Sequence, residues 1–251
     1  LDERVVSRIH QAQQELESGG NLPSRAELDG YRRNFRERFG PDRLAQLDGA
    51  ALLETMHAHG NKDSLVYWLE FKDDDEFRNR LFGGIGGGTA LKFGLFTRKE
   101  TGVWVTGSPQ NQKEISVEEA IHIARRHRDQ LLRGIQTIES LPAMADEARY
   151  AVLQQDMQDG APDVAESAWG HKYFHLLFPE KLDDFHAPSY QRFHLIKMLQ
   201  APPEGDGRYI PAGRYVSLAR ELGMPMNQLT SILNVVHGRP YHCWRIGTRL
   251  G

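Results

Sequence analysis

The chain has 251 residues, 39% of them hydrophobic and 26% charged, with a formal net charge of −3. That length serves one large domain or two ordinary ones, and the slightly acidic balance excludes a global basic field, so any surface for nucleic acid must be local. A single cysteine, Cys243, excludes an internal disulfide, and no apolar run approaches the ~20 residues of a membrane helix, so no membrane association and a cytoplasmic location are expected.

Residues 1–60 read as three helices. Val5, Val6, Ile9, Ala12 and Leu16 keep helical spacing up to Gly19 and Gly20, which suit a helix end. Ser24 and Glu27 form a capping box for a second helix carrying Leu28, Tyr31 and Phe35 inward. A third helix spans residues 42–57, with a break near Asp48 and Gly49. Residues 65–107 carry the densest β signal. The apolar run Leu65, Val66, Tyr67, Trp68, Leu69 predicts a buried strand ending at Glu70, followed by an acidic turn at Asp73, Asp74 and Asp75. Five glycines then fall within six positions (83, 84, 86, 87 and 88), and the alternation from Leu91 to Phe96 turns back at Glu100, Thr101 and Gly102 into Val103, Trp104 and Val105, a hairpin.

Ser116 and Glu119 form another capping box. The helix they open shows Ala120, Ala124, Leu131, Ile135 and Ile138 on one face and Arg125, Arg126 and Arg133 on the other. Residues 141–162 read as a connection or a short helix, and the main boundary is placed there, giving units 1–160 and 161–251. Beyond it lie a short aromatic helix from Trp169 stopped by Pro179, a helix over 189–199 and a loop over 202–207. The tail reads as a helix-turn-helix with a wing: helices over 214–222 and 226–236 about Gly223, then an arm over 239–246. The expected fold class is α+β, a helical N-terminus around a small curved sheet, then a mainly helical half ending in a winged-helix-like unit.

Three constellations bear on function. Asn227, Gln228, Thr230, Ser231 and Asn234 give the second tail helix the polar side chains a recognition helix needs, with Arg214 and Arg239 placed for phosphates. The alternative is ordinary helix packing. Tyr67, Trp68 and Trp104 as walls, Thr89, Lys92 and Thr106 as polar contacts, and the glycine-rich loop as an entry fit a pocket for an unstacked base; the alternative is hydrophobic core. Asp63, Glu70 and Lys72 match the bare pattern of a Mg²⁺-dependent nuclease, against which stands a salt-bridged strand end. The glycine loop is not a Walker A sequence, because Thr89, Ala90, Leu91 and Lys92 follow it. His171 and His175 have the spacing of a metal pair, but with no matching third ligand they read as core or surface histidines. No cofactor or metal is expected.

The segments Trp169-Gly170-His171-Lys172-Tyr173-Phe174, Leu177 through Phe185 (LFPEKLDDF) and Tyr190-Gln191-Arg192-Phe193 resemble the region ahead of the motor in AAA+ proteins of the McrB type. Leu91-Lys92-Phe93-Gly94 and Trp244-Arg245-Ile246-Gly247 are similar to further parts of it. The chain begins at Leu1 rather than Met and has no GxxxxGK[ST], so the resemblance implies a specificity region without its motor. It further implies recognition of DNA, including base-modified DNA, in an antiphage restriction system, with the AAA+ motor in the same full-length chain and a separate nuclease subunit as partners. Binding rather than catalysis is expected of this part; a nuclease using Asp63, Glu70 and Lys72, or a protein-interaction adaptor, are the alternatives.

Overall fold

The structure is a computed structural model and describes residues 1–77, 81–86, 90–98, 100–108, 110–201, 203, 205 and 207–240. The fold is α+β, about 63% helical, with one open three-stranded antiparallel sheet. Local chemistry sets most helix starts. Asp2 caps α1 (Glu3–Ser18), and the Ser24–Glu27 capping box opens α2 (Arg25–Phe39). The chain then breaks as expected near Asp48, giving α3 (Pro41–Ala45) and α4 (Gly49–His57), with Asp48 capping the latter and Gly49 at φ +56°.

The run from Leu65 is not a strand. Ser64 accepts a hydrogen bond from the Tyr67 backbone N–H and starts α5 (Leu65–Glu70), and the three aspartates that follow lie in α6 (Lys72–Glu76) rather than in a turn. A six-residue apolar run has no periodicity that separates a fully buried helix from a fully buried strand. Here the helix is buried on all sides. Trp68 lies against Tyr31 (centroids 5.3 Å apart) and Phe39 (5.6 Å), so the predicted wall of a base pocket is core.

The hairpin forms as expected, from β1 (Leu95–Thr97) and β2 (Trp104–Ser108), with Leu95 opposite Thr106 and Thr97 opposite Trp104. Its turn closes through Gly102 at φ +69°. Residues 90–93 form a 3-10 turn in place of the start of that strand. A third strand, β3 (Asn111–Ile115), pairs with β2. Its sequence, NQKEI, is almost entirely exposed and carries no apolar alternation to announce it.

The Ser116–Glu119 capping box opens the 23-residue α7 (Val117–Glu139), which packs on α3, α4 and α8 (Glu147–Gly160). Then follow α9 (Ala168–Leu177), α10 (Pro188–Leu199), α11 (Tyr209–Glu221) and α12 (Met226–His237). The last two are joined through Gly223 at φ +66°, as the tail reading requires. The wing predicted over 239–246 lies outside the described residues from 241 onward, and a winged-helix unit is not established. α12 packs along α1, so the two ends of the chain meet, and buried apolar side chains form one connected set from Ile9 to Leu233. No described helix is long and apolar enough to cross a membrane.

Trp68 and Trp104 separate core from surface in a direct way. Removing a fully buried tryptophan costs about 3–5 kcal/mol, so Trp68→Ala should lower the melting temperature by roughly 10 °C. Trp104, half-buried on β2, should show less than half that shift in the same thermal melts.

Candidate functional site

Five segments converge on two adjacent carboxylates, Asp183 and Asp184, both buried. The Gly83 backbone N–H donates to Asp184 Oδ2 at 2.9 Å, and the Asn227 side-chain amide donates to the same oxygen at 2.8 Å. His186 Nε2 lies 3.0 Å from Asp184 Oδ1, an electrostatic contact in which neither atom meets hydrogen-bond geometry. His186 Nδ1 and His171 Nδ1 share a hydrogen bond of 3.0 Å, one ring donating and the other accepting, and His171 Nε2 faces Asp183 Oδ1 at 3.5 Å. Asp183 is held by the Phe185 N–H at 3.0 Å and the Gln191 amide at 2.7 Å. His175 donates from Nδ1 to the Leu182 carbonyl at 3.0 Å, so its Nε2 accepts from Asn227 at 3.2 Å. The two histidines thus lie in a row between Asp184 and Asp183, sunk in the protein, with His171 Nε2 and His186 Nε2 making no hydrogen bond to the carboxylates.

Burying charge is costly unless it is balanced. Three buried or half-buried cations face three buried acids here: Arg32 acts on Asp184, Arg208 on Asp183 and Lys172 on Asp73. The network is therefore neutral with its histidines uncharged. Burial pushes His186 down to about 3 and His175 down to about 4, against the opposing pull of Asp184, and burial lowers His171 too. Burial would raise Asp184, but His175, His186 and the Gly83 N–H outweigh it and hold the carboxyl well below the ordinary range. Burial lifts Asp73 against the opposing charge of Lys172.

One edge of this network opens into a cleft of about 810 Å³, lined among others by Gly83, Gly84, Gly86, His186, Tyr190, Thr230, Ser231, Asn234 and Arg239. That size falls within the ~300–1,000 Å³ typical of small-molecule sites. Gly83 has no freedom to be anything else: an added Cβ would stand 2.0 Å from the Asp184 carbonyl oxygen. Gly86, by contrast, faces open space. The cleft thus has a side-chain-free rim on the glycine loop, a half-buried tyrosine ring, a row of hydroxyl and amide groups from α12, and Arg239 at its mouth. Arg239 is exposed and makes no ion pair among the described residues.

The residues singled out from sequence distribute differently from expectation. Asn227 cannot meet a base edge, because it is fully buried and its amide is spent on Asp184, His175 and Arg32. Gln228 donates to the Pro23 carbonyl at 3.2 Å. Thr230 and Arg239 do reach the cleft, with Ser231 and Asn234. Tyr67 is buried and its hydroxyl donates to Asp75 at 3.1 Å. Lys92 pairs with Glu70 and donates to the Ile85 carbonyl at 2.8 Å, and Thr106 donates to the Gly94 carbonyl at 2.7 Å. Tyr67, Trp68, Lys92, Trp104 and Thr106 therefore share no pocket, and Thr89 lies outside the described residues.

The arginines of α7 are exposed yet engaged. Arg125 grips Asp48 through two bonds of 2.6 and 2.9 Å, Arg126 pairs with Asp163 at 2.6 Å, and Arg133 donates to the Gly160 carbonyl at 2.7 Å. Arg214 pairs with Glu147 at 2.5 Å. The three residues of the nuclease pattern are not brought together: Asp63 pairs with Arg38, Glu70 with Lys92 and Lys72 with Glu76. Glu70 and Lys72 stand on helices rather than a strand. Among the described residues no group of three or more His, Cys, Asp or Glu is arranged to hold a metal ion. His171 and His175 are core histidines, of the bland kind their sequence context favoured. The signal that sequence reasoning missed is the run Asp183-Asp184-Phe185-His186, whose adjacent acids and histidine follow an aromatic helix that already carries two histidines.

No family model matches this chain, and neither a curated protein nor a solved structure is significantly similar to it.

Two outcomes follow from the geometry. Gly83→Ala should unseat the loop from Asp184 and lower the melting temperature by several degrees, whereas Gly86→Ala should leave it unchanged within about 1 °C. The buried histidines also fix a pH dependence. His127, His175, His194 and His237 are pushed by burial to about 4 and His186 to about 3, below the ~6.5 of an unfolded chain. With folded values depressed, the unfolded state binds more protons between these limits, so stability is full above pH ~6.5 and is lost as pH falls from there toward 4. Melting temperatures recorded across that window should decline steeply; a flat profile would mean that these imidazoles are not buried neutral.

Proposed function

We propose that the cleft is a nucleotide-sized binding site and that the chain is a DNA-binding unit that takes one base out of the stack and holds it there. The observation that carries the reading is the convergence, around one cleft, of a glycine backbone, the Tyr190 ring, and the Thr230, Ser231 and Asn234 side chains, with Arg239 at the mouth. Extruded bases are bound by stacking and by hydrogen bonds to their edges, and a strand entering such a site needs room that only glycines leave. This role suits the specificity region of a McrB-like, modification-dependent restriction system, whose motor and nuclease subunit would be its partners. The nuclease alternative is disfavoured because Asp63, Glu70 and Lys72 are taken up in three separate ion pairs. No specific observation favours an adaptor role.

The test is a binding panel of duplexes, unmodified and carrying methylated or hydroxymethylated bases, at two salt concentrations. Stacking on an aromatic ring contributes about 1–3 kcal/mol per base, so Tyr190→Ala should weaken binding of the preferred duplex tenfold or more. Arg239→Ala should weaken all duplexes alike and flatten the salt dependence by about one unit of slope. Unchanged binding and unchanged preference in Tyr190→Ala, with the fold intact by thermal melting, would overturn the assignment of the cleft.

A further inference from the structure

A second concavity, of about 290 Å³, lies on the other side of the C-terminal end of α12, lined by Arg4, Val5, Arg8, Lys197, Gln200, Val236 and His237. Its lining brings three exposed cations together from two helices, Arg4 and Arg8 from α1 and Lys197 from α10, and includes no carboxylate. The bland explanation is that these cations offset the negative ends of α10 and α12, whose last turns both meet here. Arg8 does serve that role, donating to the Val236 carbonyl at 2.8 Å. Arg4 and Lys197 make no ion pair among the described residues, and Lys197 stands only over the Phe193 ring at 5.7 Å. The helix ends therefore do not consume the charge present.

The histidine in the notch senses the surplus. Burial lowers His237 first, and Arg8 and Lys197 lower it further, to about 4. His237 packs on His194 with ring centroids 5.7 Å apart, and His194 bonds Asn234, which lines the cleft of the proposed base site. The two concavities thus lie on either side of the last turns of one helix, whose full width is ~10–12 Å.

We propose that the Arg4–Arg8–Lys197 notch is a phosphate site, which receives a backbone phosphate of the same nucleic-acid strand whose base enters the cleft. This rests on the reading of the cleft as a base site. The strand would cross α12 near its C-terminal end, with Arg239 and the notch holding successive stretches of backbone. A phosphate seated there adds negative charge beside His237, which must raise that imidazole's apparent pKa toward its ordinary value.

The experiment is a pH titration of the histidine side-chain NMR signals of the protein free, with inorganic phosphate, and with a short oligonucleotide, in the wild type and in the Arg4→Gln/Lys197→Gln double variant. These positions are exposed, so the variant should fold normally, which its thermal melt checks. With phosphate and with oligonucleotide, the His237 titration should move upward by at least one unit in the wild type and not in the variant. The variant should also lose about two units of salt slope in oligonucleotide binding. If the oligonucleotide perturbs Tyr190 but leaves His237 still, the notch is not a phosphate site and the cleft reading survives. If inorganic phosphate moves His237 while no oligonucleotide binds, the notch is an anion site for a free ligand, and both the strand assignment and the nucleic-acid reading fall. If neither ligand moves His237, the notch proposal is wrong.

Discussion

The Asp184 carboxylate is the point on which this structure depends. It ties the glycine loop through Gly83 and α12 through Asn227 by hydrogen bonds, lies 3.0 Å from His186 of its own stretch of chain, and reaches α9 through the Asn227–His175 bond. Those four segments come from positions as far apart as 83 and 227. A buried carboxylate needs donors and a nearby cation; Asp184 Oδ2 has two donors and Arg32 supplies opposite charge, whereas Oδ1 makes no hydrogen bond. Taking away one donor would leave charge stranded in the core, so the loop, the aromatic helix and the tail helix hold their places together or not at all.

That dependence explains why the cleft lies where it does. The network reaches the cleft on its outer side, where Asp184 and His186 form part of the lining. The elements around the opening are fixed by the same bonds that stabilise the interior. The arginines of α7 are bound to acids and carbonyls, whereas Arg239, Arg4 and Lys197 make no ion pair among the described residues.

Much of the helical framework was legible because its signals are local. The Ser24–Glu27 and Ser116–Glu119 capping boxes act within one turn, and Gly49, Gly102 and Gly223 sit at positive φ where the sequence placed a break or turn. The failures have a common origin in long-range context. The apolar run at Leu65 has no period to read, and only Ser64, a modest cap, marked it as a helix. The polar residues of α12 looked like a recognition surface because polarity usually means solvent. Asn227 is polar and buried because Asp184, His175 and Arg32 await it from distant parts of the chain. The ingredients of a base pocket were sought close together in sequence; the cleft is instead lined by residues of the glycine loop, Tyr190 and α12, from segments far apart in the chain.

The most direct measurement is backbone NMR mapping of the protein with an oligonucleotide carrying the base modification it prefers. On the present account the largest shifts fall on Gly84, Gly86, His186, Tyr190, Thr230, Ser231 and Asn234, around the cleft. Shifts confined to the exposed arginines of α7, with the cleft residues undisturbed, would contradict it.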